Sequence, residues 1–117
     1  MPTDLPENPL PPCPDVPNCV RETRHFKVSS DKLFSRALKA LYSIKPTTVE
    51  VDEDAHRIDA VFRVVLFKDD VVLRVEPDEA GAVVHIRSES RLGRGDLGVN
   101  RRRVDRFFSA LGEEVKA

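Results

Sequence analysis

The sequence predicts a two-layer α+β domain: a four-stranded antiparallel meander with two helices packed on one face, preceded by a Pro-rich N-terminal arm. Three observations lead there. Two stretches repeat apolar residues at helical spacing, four shorter ones alternate apolar and polar residues between turn signals, and seven of the nine prolines fall in residues 1–17. A chain of 117 residues has room for one domain. The expected division is an extended Pro/Cys-containing arm over 1–24 and a single α+β domain over 25–117.

Proline locks φ and has no N–H, so residues 1–17 cannot join a helix or a sheet interior and should run extended. After the arm, Ser29 or Ser30 can cap a helix with Asp31 in its first turn. Phe34, Ala37, Leu38 and Leu41 then repeat at i, i+3, i+4 and i+7, which predicts a helix over 31–44 that stops before Pro46.

Four strands follow. Val49 and Val51 alternate in the first. Ile58, Ala60, Phe62, Val64 and Leu66 share one face of the second, and Lys68-Asp69-Asp70 is expected to turn the chain. Val71, Leu73 and Val75 line one face of the third, and Pro77-Asp78-Glu79-Ala80-Gly81 leads into a fourth over about 82–90. Short connections imply an antiparallel meander with one wet face carrying Asp59, Arg63, Arg74, Glu76, His85, Arg87 and Glu89. The last helix begins near Val99, repeats Val104, Phe107, Phe108 and Leu111, and is expected to stop at Gly112.

Charge is uneven. Residues 1–86 carry 11 Lys/Arg against 15 Asp/Glu, or −4, whereas residues 87–117 carry 8 against 5, or +3. Seven of those eight are Arg between Arg87 and Arg106, and the planar guanidinium suits carboxylate or phosphate. The overall balance of −1 gives no global pull toward nucleic acid or an anionic membrane. No apolar run is long enough to span a bilayer, and Met-Pro-Thr-Asp-Leu-Pro-Glu is not a signal-peptide start. The expected location is the cytoplasm, with an exported form whose leader has been removed as the alternative.

Polar chemistry gathers at 88–103. Period two puts Ser88 and Ser90 on the buried face of Val84 and Ile86, and helical spacing puts Asn100 within the stripe of Val104, Phe107, Phe108 and Leu111. Arg101 and Arg103 flank that stripe, while Arg102 and Arg106 point to water. Inward-facing amide and hydroxyl groups need partners, since an unpaired buried polar group costs about 1–3 kcal/mol. The groups either bond one another and the Gly93–Gly98 turn or hold a ligand. Asp96 can cap the helix or fix Arg91 or Arg103. Glycines leading into a helix start with arginines alongside form a candidate anion cradle, although the spacing is not a phosphate-loop fingerprint.

Cys13 and Cys19 either form a disulfide across a proline-stiffened loop or remain free thiols, according to compartment. Cys-x5-Cys with only His25 nearby does not make a zinc site, so no metal is expected, and no cofactor motif is present. His25, His56 and His85 are scattered with no nucleophile beside them. Asp69-Asp70 and Glu50–Asp54 read as solvated turns. Nucleic-acid binding by Arg101–Arg103 is disfavoured because no aromatic stacking platform accompanies it.

Cys13-Pro14-Asp15-x-Pro17-Asn18-Cys19-Val20, followed by Ser90-Arg91-x-Gly93-x-x-Asp96-x-Gly98-Val99-Asn100-Arg101-Arg102-Arg103, resembles the bacterial and plant family known as domain of unknown function 1499. The resemblance covers essentially the whole chain. It implies a compact α+β domain behind a cysteine-bearing arm, and it implies no particular reaction, cofactor or substrate. Many members place Ser after the Cys-Val pair, where this chain has Arg21.

The functional expectation is a non-catalytic binding or interaction domain that presents the 88–103 corner to an anionic small molecule or an acidic partner surface. Arg91, Arg101 and Arg103 supply charge, Ser88, Ser90 and Asn100 orient, and Asp96 holds the arginines. The alternative is an enzyme using the same corner with Asp96 as acid or base.

Overall fold

The computed structural model describes residues 5–15, 18–92 and 98–116. The elements are β1 (Cys19–Phe26), α1 (Ser30–Ser43), β2 (Thr48–Asp52), β3 (Arg57–Val64), β4 (Phe67–Asp78), β5 (Gly81–Ser90) and α2 (Val99–Lys116). All strand pairings are antiparallel, in the order β1-β5-β4-β3-β2. The chain is α+β with both helices against one sheet face, as expected, but the sheet has five strands rather than four.

The additional strand is β1, whose first residues the sequence grouped with the arm. It carries no apolar alternation because its helix-side positions are Val20, Glu22, Arg24 and Phe26, in register with Ser88, Ile86, Val84 and Ala82. Glu22 and Arg24 are charged there because β1 is an edge strand beside α2. The Arg24 guanidinium lies 4.1 Å from the Phe108 ring centroid, and Glu22 pairs with Arg101 at 2.6 Å. An edge position lets both side chains keep contact with water while covering the helix flank.

α1 starts where Ser29 accepts a hydrogen bond from the Lys32 backbone N–H at 3.2 Å, with Asp31 in the first turn. It buries Leu33, Phe34, Ala37, Ala40 and Leu41 against the sheet and α2. Lys45 takes a positive φ of 64° just past the helix end, before Pro46. α2 buries Val104, Phe107, Phe108 and Leu111, and runs to Lys116 instead of stopping at Gly112. Val115 packs on the core one turn beyond, which offsets the roughly 1 kcal/mol penalty of a helical glycine.

The β3–β4 connection differs from expectation. The turn is Val65–Leu66, and Lys68, Asp69 and Asp70 belong to β4, opposite Arg63, Phe62 and Val61. Val65 adopts φ 56°, a region that hairpins of this length usually fill with Gly, Asn or Asp. The polar trio resembled a turn, but the ladder keeps it in strand because Asp69 continues the inward series of Val71, Leu73 and Val75.

The far face of the sheet is not uniformly wet. The arm runs over its β1–β5 edge. Arg21 donates to Leu10 O at 2.9 Å, Arg87 donates to Pro11 O at 2.8 Å, and the Asn8 amide donates to Glu22 O and Thr23 Oγ1. A disulfide joins Cys13 to Cys19 with Cα atoms 5.6 Å apart, fastening the arm to the start of β1. Leu10, on this path, is buried, and His85, expected on the wet face, is 0% exposed. His85 Nε2 lies 2.7 Å from Glu76 Oε1 and Nδ1 lies 2.7 Å from Thr23 Oγ1. In a neutral ring Nε2–H donates to the carboxylate and Nδ1 accepts from the hydroxyl.

Burial holds the His85 pKa below its ordinary value, against the raising influence of Glu76, with Arg74 and Arg21 adding to the depression. The unfolded chain therefore binds a proton at a pH where the folded chain does not. The stabilisation is complete above the ordinary His value and is lost as pH falls from about 6.5 toward the lower folded value. Urea melts between pH 7.5 and 5 should show stability declining with acidity, and His85→Gln should flatten that slope. Identical slopes in the two proteins would refute the assignment.

Candidate functional site: a polar clamp beside a basic cleft

Where β5 ends and α2 begins, polar side chains from four parts of the chain meet on the helix side of the sheet. Ser88 is fully buried in line with Val84 and Ile86, and Asn100 is fully buried in the first turn of α2. The Ser88 hydroxyl donates to Asn100 Oδ1 at 2.5 Å, and Arg103 Nη1 donates to the same oxygen at 2.9 Å. The Asn100 amide donates to Ser90 Oγ at 2.9 Å and to Asn18 O at 3.1 Å. Asn18 O also accepts the Ser90 backbone N–H at 3.0 Å. An amide supplies donors on one side and an acceptor on the other, which is what bridging a strand, an arm and a helix requires.

Arg103 is only 7% exposed, and Asp69, 2% exposed, meets its Nη1 at 2.8 Å. The guanidinium also sits 4.6 Å from the Phe62 ring centroid, and Phe62 is Asp69's register partner across β3 and β4. Asp69 was expected in a solvated turn. It is buried because period two from Val75 carries it onto the helix side, where an isolated carboxylate would be prohibitive without the arginine.

The other expected site residues are engaged elsewhere. Arg91 makes a two-pronged pair with Asp70 at 3.0 and 2.9 Å, which raises its pKa. Arg101 meets Glu22 at 2.6 Å and Asp105 at 2.8 Å, and the Glu22 hydrogen bond is the main reason its pKa rises. Asp96, with Gly93 and Gly95, lies outside the described residues. Ser88, Ser90, Asn100 and Arg103 thus converge, while Arg91 and Arg101 turn outward to carboxylates. Sequence reasoning missed Asn18, Asp69 and Phe62. For Asp69 the signal was available in the inward periodicity of β4.

Beside this clamp lies a cleft of about 440 Å³ between the end of α1, the end of β3 and the start of α2. Ile44, Phe62, Val64 and Val99 form its apolar wall, and Lys45, Arg63, Arg102, Arg103 and Arg106 supply cations. None of its described lining residues is acidic. Lys45, Arg63 and Arg106 have no ion pair among the described residues, and Arg63 Nε donates to Val65 O at 3.2 Å.

Among the described residues no group of three or more His, Cys, Asp or Glu is placed to hold a metal ion. The Thr23–His85–Glu76 chain has the order of an acyl-transfer relay, but its ring is enclosed beneath the arm and Asn8 occupies the hydroxyl. Its geometry is that of a satisfied buried histidine.

The motifs at both ends of the clamp agree with a wider match. Residues 9–111 fit the model of the family described as Protein of unknown function (DUF1499). The chain belongs to that family. The DUF1499 span takes in the arm from Pro9 as well as the sheet and both helices. Among curated proteins none matches. Solved structures of similar fold include Ara h 8.0201, with TM-score 0.60, 12% identity, and 85% of this chain and 98% of that chain covered. CV1439 from Chromobacterium violaceum gives 0.54 at 14% identity over 86% and 99%. TTHA0849 from Thermus thermophilus gives 0.57 at 15% identity over 83% and 96%. The likeness is one of fold.

In this DUF1499 chain Asn100 is the joint of the clamp. Asn100→Ala leaves the Asn18 carbonyl, two hydroxyls and Arg103 short of a partner and should destabilise the fold by about 2–4 kcal/mol. Lys39→Ala, on the exposed face of α1, should cost under about 0.5 kcal/mol. Chemical denaturation measures both, and equal small losses would contradict the clamp.

Proposed function

We propose that this domain is a non-catalytic binding module for an anionic small molecule, which enters the basic cleft beside the 88–103 corner. The supporting observation is a concave site with cations on one side, an apolar wall on the other and no described carboxylate among its lining. A cleft of about 440 Å³ suits a small molecule better than a flat acidic protein surface. In this reading Ser88, Ser90, Asn100 and Asp69 form the framework that holds Arg103 at the cleft wall. Lys45, Arg63 and Arg106 supply charge for which a bound anion is the missing counterpart. Guanidinium groups stay protonated throughout the physiological range, so they bind and orient anions without exchanging protons. The apolar wall of Ile44, Phe62, Val64 and Val99 favours an anion with a short hydrocarbon portion over a bare inorganic ion.

Thermal shifts with inorganic phosphate, citrate and octyl phosphate test the reading. Octyl phosphate should stabilise most, by about 2.7 kcal/mol at a hundredfold excess over Kd. Lys45→Gln combined with Arg106→Gln should remove the effect, and Arg101→Gln should leave it intact. Equal stabilisation of all three proteins, or none in the wild type, would overturn the assignment.

A further inference from the structure

The tip of the β3–β4 hairpin carries three local costs that the fold itself does not require. Val65 and Leu66 are 81% and 80% exposed, and Phe67 follows at 53%. Leu92, 68% exposed, lies just past the end of β5, where the Arg91 N–H donates to Lys68 O. Val65 is also β-branched and held at φ 56°, where such side chains are strained. Finally, Arg63 and Lys68 are direct cross-strand partners, and like charges in that relation repel.

Glycine or asparagine at the turn and one carboxylate at its base would relieve the strain, the repulsion and the exposure of Val65 and Leu66. We infer that this tip is a docking wedge for the surface of an anionic phospholipid bilayer. Val65, Leu66, Phe67 and Leu92 enter the headgroup–acyl boundary while Arg63 and Lys68 meet lipid phosphates. The shape favours this occupant over a protein. A two-residue turn projects a narrow point, whereas a stable protein interface draws on about 20–30 residues a side. The charge fits as well. Asp69 is buried against Arg103 and Asp70 is paired with Arg91, so the cations at the base of the wedge face outward without a competing carboxylate of their own. No helix among the described residues is long and apolar enough to cross a membrane. The inferred contact is with the membrane surface; it shares Arg63 with the proposed cleft but not Leu66 or Lys68.

Flotation with vesicles of phosphatidylcholine, with and without phosphatidylglycerol, tests the inference. The wild type should bind the phosphatidylglycerol vesicles, and added salt should weaken that binding. Leu66→Ser should weaken it by about tenfold or more, and Lys68→Gln should weaken it specifically on anionic vesicles. Val65→Gly relieves the strained turn, so it should keep or raise the melting temperature while still reducing binding. Leu66→Ser should leave the thermal shift with octyl phosphate unchanged, which separates the wedge from the cleft. Absence of wild-type binding would overturn the inference. So would full binding by folded Leu66→Ser, or a self-association in sedimentation that the same substitution abolishes.

Discussion

The guanidinium of Arg103 is withdrawn from water between Asp69, the face of Phe62 and the Ser88–Asn100 pair, and the rest of the structure is arranged around that burial. A buried charge is tolerated only when a counter-charge and hydrogen-bond partners are already in position. Asp69 can be there only if β4 begins before it, which moves the hairpin turn back to Val65–Leu66. Asn100 can be there only if α2 starts at its observed position, with its amide reaching both the end of β5 and the arm. Neighbouring elements are therefore set in register by polar contacts as well as by apolar packing, and such contacts discriminate more sharply among alternatives.

The arm gains its role through the same junction. Asn18 O receives both Asn100 and the Ser90 N–H, and Cys19 next to it carries the disulfide to Cys13. From there the chain returns across the β1–β5 edge, where Arg21 and Arg87 hold its carbonyls and His85 is sealed below. The Asn100 amide fastens the arm through its nitrogen and holds Arg103, which lines the cleft, through its oxygen.

Much of the helix layer was legible from periodicity, because Phe34, Ala37 and Leu41 and the stripe from Val104 to Leu111 must face one way on any helix. The convergence of Ser88, Ser90 and Asn100 was legible for the same reason. β1 was not, since an edge strand beside a helix can carry Glu22 and Arg24 on its covered side and so loses the alternation that marks a strand. The turn was misplaced because Lys68-Asp69-Asp70 has turn composition, while the true turn, Val65–Leu66, has the composition of a strand. His85 was read as wet because nothing in the sequence marks the sheet face to which residues 8–11 bond. The cleft draws on residues far apart in the chain, Lys45, Arg63 and Arg106 among them, so it could be seen only after folding.

Coupling between Asp69 and Arg103 is the most direct gauge of whether this buried pair organises the corner. A double-mutant cycle with Asp69→Asn, Arg103→Met and the combined variant, read by denaturant unfolding, isolates it. Each single change should be severe, at about 3–5 kcal/mol, and the pair together much less than their sum, with a coupling above about 1 kcal/mol. Strict additivity with mild single effects would mean that the ion pair is incidental, and the arrangement of arm, turn and helix start would need another cause.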